Sequence, residues 1–368
     1  MARKFKVGVL GSTNRGNYGH GLDTAWFAVE STKIVAVSDD NKSGMASAAR
    51  RLKVDRAFSD YRRLMDEVDV DIVAICPRWV DQHFDMALAA AERGIHVYME
   101  KPFCRTLEEA DKLVATCEKK NVKVAIAHPT RYSPMINTIR EIIKSGDLGQ
   151  VLEYRGRGKE DRRGGGEDLW VLGAHVMDMI LAIGGRPKNC FAQLRSNGHP
   201  VERKDIKAGA EGIGPLAGDE LYARYVMGDG STAYFNSIRN QGGQPRRYGL
   251  QIYGSKGILE LIEGTLPSVK FLADSSWSPG RTGKEWQHVS SNGIGKPESL
   301  SGDQYKARHT LAILDFLDAI ENDRQPLCNM HQGRWITEMI AGVFESHRVG
   351  GVVDLPLKTR ANPLTLFS

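Results

Sequence analysis

What this 368-residue chain lacks narrows its function before any motif is read. No apolar run approaches the roughly 18 residues of a membrane-crossing helix, so no membrane partner is expected. Met1-Ala2-Arg3-Lys4 runs straight into strand-like Phe5–Leu10 without an apolar leader or cleavage site, and a cytoplasmic protein is the expectation. Cysteine is scarce: Cys76, Cys104, Cys117, Cys190 and Cys328 form neither an even set nor a Cys-x-x-Cys pair, which excludes a disulfide framework and reads as buried reduced thiols. Charge of one sign is not massed either, since 50 Lys and Arg against 45 Asp and Glu leave only +5. Without a basic, aromatic-interleaved stripe, nucleic acid is not an expected partner. Low-complexity tracts and internal repeats are absent. What remains, 41% apolar and 26% charged residues, is the composition of a soluble globular protein of about two domains.

The first third alternates short apolar strands with amphipathic helices. Phe5–Leu10 opens into Gly11-Ser12-Thr13-Asn14-Arg15-Gly16, where a loop and a following helix N-terminus are expected to face a phosphate. Thr13 stands where the dinucleotide fingerprint has its second glycine. A second strand, Lys33–Ser38, ends in Asp39-Asp40, and a carboxylate there suits the two hydroxyls of an adenosine ribose. NAD is therefore preferred to NADP, whose 2'-phosphate would meet Asp39 as a like charge. Further strands are predicted at Ile72–Cys76, at Val97–Met99 and over Val122–Ala127. Helices are predicted between them, one behind a Thr106/Glu109 capping box. The fold class is α/β: residues 1–127 form a doubly wound, amino-terminal dinucleotide-binding domain.

Beyond it the periods change. Residues 128–368 read as an α+β domain with a largely antiparallel, open-faced sheet, including strands at Val151–Arg157, Leu221–Met227, Thr232–Ile238 and Ile258–Ile262. Gly158–Asp168 follows neither period and is expected to be a flexible, charged loop, leading into an apolar helix with His175 near its head. A sheet covered on one side leaves an apolar face to hide, so a homo-dimer or homo-tetramer is expected.

Chemistry concentrates at Val97-Tyr98-Met99-Glu100-Lys101-Pro102, where a strand delivers a lysine into the crevice at the carboxyl ends of the sheet. His175 and Asp178 lack a convincing third ligand, so no metal site is expected. Taken in order, Gly11 to Gly16, Asp39, Pro77 with His83, Gly94–Val97, Glu100-Lys101-Pro102, Arg131-Tyr132, Gly173-Ala174-His175 with Asp178, and Ile252–Gly257 resemble the glucose-fructose oxidoreductase and inositol dehydrogenase (Gfo/Idh/MocA) family over nearly the whole chain. That resemblance implies a Rossmann domain followed by a substrate and oligomerisation domain, and an NAD(P)-dependent oxidoreductase acting on a sugar, polyol or glycoside. It implies catalytic roles for Lys101 and His175, and cofactor contacts from Gly11, Ser12, Thr13, Asn14, Arg15, Gly16, Asp39, Pro77, His83, Glu100 and Lys101. Arg131, Asp168 and Trp170 join Lys101 and His175 as candidates for the substrate. The Lys101-Pro102 peptide is a candidate cis bond.

One member of the pattern is missing. The family often has Asp four residues before the histidine, and here that position is Val171. Asp168, Glu167, Glu160 and Asp161 are the nearby alternatives. The leading reading is hydride transfer between a secondary carbohydrate hydroxyl and nicotinamide. A redox glycosidase working through a transient ketosugar is the second, and a non-catalytic nucleotide-binding protein the third.

Overall fold

The computed structural model describes residues 4–264, 267–300 and 309–367; Met1-Ala2-Arg3, on which the amino-terminal expectation rests, lie outside them. Two units divide the chain: Met1–Ala127 with Ala210–Gly214 and Ala307–Thr337, and His128–Gly209 with Pro215–Lys306 and Glu338–Ser368.

Unit one is built on β1 (Phe5–Leu10), β2 (Thr32–Ser38), β3 (Ala57–Phe58), β4 (Ile72–Ile75), β5 (His96–Met99) and β6 (Val124–Ile126), all parallel in the order β3-β2-β1-β4-β5-β6. That is the doubly wound order, whose ligand crevice opens at the carboxyl ends where the order reverses, between β1 and β4. Helices α1 (Lys42–Leu52), α2 (Tyr61–Glu67), α3 (His83–Glu92) and α4 (Leu107–Lys120) connect the strands. Every residue of β4 is buried, as an apolar run covered on both faces must be. Thr106 caps α4 by accepting from the Glu109 N–H, while Glu109 itself reaches the Arg105 N–H.

Two expectations change here. No α-helix follows the glycine turn: among the described residues, β1 and β2 are joined by turns and one 3-10 helix, Ala25–Ala28. Positive φ at Asn14, Gly16, Asn17, Gly19 and Gly21 keeps this stretch out of the right-handed helical region. The second half of the chain also does not stay in one unit. The helix Thr310–Glu321 and the turn after it return to unit one, where Ile126 N–H bonds Cys328 O and the Tyr98 hydroxyl meets His309 Nδ1 at 2.8 Å. The edge of β6 needs this cover because its backbone groups would otherwise be unpaired.

In unit two, α5 (Pro134–Ser145) precedes β7 (Val151–Arg157), and α6 (Gly166–Val171) and α7 (Gly173–Gly184) precede β8 (Pro187–Ser196). The strands β9 (His199–Pro200), β10 (Lys207–Ala208), β11 (Pro215–Leu216), β12 (Glu220–Met227), β13 (Thr232–Ile238), β14 (Gly249–Gly254), β15 (Gly257–Ile262), β16 (Ser268–Leu272), β17 (Gln287–Ser290), β18 (Gly293–Ile294) and β19 (Val353–Asp354) follow. The large sheet runs β18-β17-β16-β15-β14-β7-β13-β12-β8-β19, antiparallel except for the β7–β13 pair. Alternation sets its faces: Leu221, Ala223, Tyr225 and Met227 of β12 point inward, Tyr222 and Arg224 outward. On the inner face α7 comes close to β7 because residue 156 is glycine; a Cβ there would stand 2.6 Å from Val176 Cγ1.

The outer face corrects another expectation. Glu153, Arg155, Arg157, Tyr234, Asn236, Gln251, Glu260 and Lys270 stand around a concavity of about 920 Å³, with Leu250, Leu261 and Ile262 among them, so charge is prominent on a face expected to be apolar. Val226, Ile238 and Ile262 alternate onto the same face as these polar side chains, so it is mixed rather than uniformly apolar.

Candidate active site

The ends of β1 and β2 build the first corner. Gly11–Gly16 forms a tight turn closed by a reciprocal backbone pair, Ser12 N–H to Asn17 O (3.2 Å) and Asn17 N–H to Ser12 O (3.0 Å). Gly16 has φ +90°, and a Cβ on it would lie 2.3 Å from the Arg78 nitrogen. Asp39 is 1% exposed, and its carboxylate accepts from Thr13 N–H (3.1 Å), Thr13 Oγ1 (2.7 Å), Tyr18 (2.8 Å) and Asn41 N–H (2.9 Å). Thr13, in the second-glycine place, thus has a task glycine cannot perform: its hydroxyl ties the turn to Asp39. Burial first, then the hydrogen bond and charge of Asp39, push the Tyr18 phenol far above its ordinary pKa, so it stays a donor. Asn14 is exposed at the tip of the turn, and Arg15 pairs with Asp81 and lies 5.3 Å from the Trp79 ring.

This corner fits the adenosine end of a dinucleotide. A strand-end carboxylate already satisfied by hydroxyl donors can exchange them for ribose hydroxyls, and among the described residues no basic side chain is bonded to Asp39. Arg51 stacks 4.7 Å over Tyr18 and pairs with Asp23.

At the end of β5, Glu100 is 1% and Lys101 5% exposed. Glu100 Oε1 accepts from the His20 N–H (3.0 Å) and lies 2.7 Å from His20 Nδ1, while Oε2 accepts from the Lys101 N–H (3.2 Å). Burial opposes the charge on Glu100, but the hydrogen bond and charge of His20, with Lys101 and His309, overcome it and hold the pKa at about 2. The Lys101-Pro102 peptide is cis. His83 lies fully buried between two carbonyls, Pro102 O at 2.6 Å from Nδ1 and Pro77 O at 2.7 Å from Nε2, and burial lowers its pKa. His83 ties the chain after β4 to the turn that carries Lys101.

Unit two supplies a second cluster. His175 Nδ1 is 3.2 Å from His128 Nδ1, the rings meet edge to face at 4.9 Å, and Glu263 Oε1 lies 3.9 Å from the same nitrogen. The Thr130 hydroxyl donates to Glu263 Oε1 at 2.8 Å. Nothing in the residue pattern pointed to His128, Thr130 or Glu263. The one available signal was a histidine directly after the last parallel strand, in Ala127-His128-Pro129.

Three substrate candidates have interior roles in the structure. Asp168 is fully buried and accepts from the Glu160 N–H (3.0 Å) and Ser237 Oγ (2.6 Å), with burial raising its pKa. Trp170 is 2% exposed in the core. Arg131, 7% exposed, donates from Nε to both carboxylate oxygens of Asp178 (2.8 and 3.0 Å). The Gly158–Asp168 stretch is likewise not a loose loop, since the buried Glu160 accepts from Ile238 N–H (2.9 Å) and Arg157 Nε (3.0 Å). Two buried carboxylates need fixed donors, and that need pins the segment.

Among the described residues no cluster of histidine, cysteine and carboxylates could hold a metal, and no helix is long and apolar enough to cross a membrane.

A parallel sheet in this order, with a glycine turn and a carboxylate at adjacent strand ends, defines an NAD-binding Rossmann unit. Residues 5–128 match the oxidoreductase family with NAD-binding Rossmann fold, and residues 136–260 match the GFO/IDH/MocA C-terminal domain. The chain belongs to the GFO/IDH/MocA oxidoreductase family. It is 27% identical to levoglucosan dehydrogenase of Pseudarthrobacter phenanthrenivorans over 248 residues, 60% of this chain and 63% of that one. With scyllo-inositol 2-dehydrogenase (NADP(+)) IolW of Bacillus subtilis it shares 26% over 221 residues, 55% and 58% of the two chains. These matches span less than two thirds of the relatives' own length. The solved levoglucosan dehydrogenase in complex with NADH and L-sorbose superposes with a TM-score of 0.77 over 97% of this chain and 100% of that one, at 21% identity, a likeness of fold.

Proposed function

We propose that the protein is an NAD-dependent oxidoreductase that moves hydride between a secondary hydroxyl of a sugar, polyol or glycoside and the nicotinamide. The observation that carries this is Lys101: a 5%-exposed lysine at the carboxyl end of a parallel strand, in a chain of this oxidoreductase family. Relatives named for levoglucosan and scyllo-inositol support a cyclic polyol or anhydrosugar as the substrate class.

Bound NAD supplies a hydride acceptor at C4 of its nicotinamide. Asp39 would hold the adenosine ribose, with Thr13 and Tyr18 fixing the carboxylate, and Gly11 and Gly16 would let the backbone come close to the pyrophosphate. Without a helix behind the turn, Arg15 and the backbone of the turn would carry the phosphate charge. Lys101 and His175 would be the two proton handlers, taking the hydroxyl proton as hydride leaves. We assign the charged outer face of the large sheet to a second copy of the chain, since residues of both signs can pair across a two-fold axis.

The test is NADH absorbance on mixing the protein with NAD and a panel of anhydrosugars, inositols and aldoses. Lys101→Met should lower kcat by about 10²- to 10⁴-fold while leaving NAD affinity nearly unchanged. Turnover of Lys101→Met at the unmodified rate rejects this crevice as the active site. The buried apolar Val171 in the family's Asp position favours keeping a redox glycosidase as second reading. Released aglycone without net NADH would decide for it.

A further inference from the structure

We infer that Glu263 does for His175 what the Asp missing from position 171 would have done, as a counter-charge delivered from the strand side rather than from the helix. This positioning role rests on the reading of His175 as a proton handler. The helix side cannot supply the charge. Val171 is the last residue of α6, and Leu172, with φ −120° and ψ −38°, breaks the chain before α7 begins. Position 171 is therefore not one regular turn before His175, and Val171 is 4% exposed.

The other nearby carboxylates each have partners of their own, although Asp168 uses only Oδ2 for them. Asp168 serves Glu160 N–H and Ser237, Glu160 serves Ile238 N–H and Arg157, and Asp178 is held by Arg131. Glu263 differs in direction. It stands just past β15, its Oε1 is fixed by the Thr130 hydroxyl, and the same oxygen is 3.9 Å from His175 Nδ1. His128, two residues before Thr130, approaches that same nitrogen at 3.2 Å. Since both ring atoms in this contact are Nδ1, one carries the proton and the other accepts it.

With the proton on His175 Nδ1, Nε2 is the basic atom. With NAD bound as the hydride acceptor, the substrate O–H bond would break as an N–H bond forms at Nε2, so His175 would hold the proton. The imidazolium so formed has its Nδ1–H beside His128 and the Glu263 carboxylate, which stabilise the positive charge. Other titratable groups around His175 do not compete: Asp178, three residues along α7, is paired with Arg131, and Tyr248, whose hydroxyl donates to Leu172 O at 2.8 Å, is kept un-ionised by burial.

Glu263→Gln is the decisive variant, because glutamine keeps an acceptor for Thr130 and nearly the same volume while removing the charge. The expected result is a kcat about 10- to 100-fold lower with little change in KM, since only the charged state of His175 loses support. Imidazole NMR on the substrate-free protein gives the second readout: the His175 signal should titrate about one pH unit lower in Glu263→Gln. If glutamine prevents folding, Glu263→Asp, which withdraws the charge by one methylene, is read in the same two ways. An unchanged kcat and an unchanged His175 titration, in a protein where His175→Ala abolishes turnover, overturn the role of Glu263 alone. Should His175→Ala leave kcat unaltered, the reading of His175 fails, and this inference with it.

Discussion

At the scale of single residues, two carboxylates in unit one give predictions of opposite kind. Glu100 has its pKa depressed to about 2 from an ordinary 4.5, so it contributes stability that is fully present above the unfolded value. That contribution, on the order of 3 kcal/mol, is lost as pH falls through the folded value. Thermal melts of the unmodified protein and Glu100→Gln should therefore differ most above pH 5 and converge as pH falls from about 4.5 towards about 2. A gap that stays constant over that range would contradict the hydrogen bonding between Glu100 and His20. Asp39 concerns binding. Its removal in Asp39→Ala should weaken NAD by about 2 to 4 kcal/mol and relax the preference over NADP, read as the ratio of the two dissociation constants. Because Asp39 also anchors Thr13, Tyr18 and Asn41, the same variant should melt lower. Tyr18→Phe, which removes one of these donors, should lower the melting temperature less.

Elements make a different kind of demand, since what matters is how closely they can approach. The histidine cluster depends on α7 lying against β7 at Gly156, where a Cβ would already be 2.6 Å from Val176. Gly156→Ala should cost about 1 to 3 kcal/mol by overpacking, and it should lower kcat more than NAD affinity because His175 rides on the displaced helix. Denaturant melts and NAD titration separate the two effects. Val171→Asp tests the break between α6 and α7. Placing a carboxylate at a 4%-exposed site without a partner should destabilise the protein by about 2 to 4 kcal/mol and give no gain in turnover. A more active Val171→Asp enzyme would show that the helix can still present a carboxylate to His175.

For the whole molecule, the outer sheet face decides the argument about assembly. Arg155, Arg157 and Lys270 stand among Glu153 and Glu260, so an interface there would be held by charge as well as by Tyr234 and its neighbours. We expect a homo-dimer or larger symmetric oligomer by light scattering at micromolar concentration. Arg155→Glu with Lys270→Glu should shift it towards monomer, and raised salt should act in the same direction. A monomeric mass at every salt concentration would count against this use of the face.

The sequence by itself determined whatever depends on local period and order. The βα alternation, the long strands, the glycine turn after β1, the lysine at the end of β5 and the cysteines without a framework could all be read from spacing. The family could too, because its motifs occur in a fixed order. Tertiary structure decided which polar groups meet. Thr13 looked like a defect in a fingerprint until its hydroxyl was seen on Asp39. The carbonyls of Pro77 and Pro102 on either side of His83 are not signalled by its sequence, and Asp168 looked like a loop carboxylate until the interior closed around it. The helix expected after the glycine turn was withheld by a run of positive φ angles, and residues 309–337 returned to cover an open sheet edge. His175 and Glu263 are 88 positions apart, and nothing local in either segment reports the other. Helix and strand formation are short-range and leave a periodic trace, whereas the pairing of buried polar groups is enforced by desolvation and needs the folded chain to bring distant segments together.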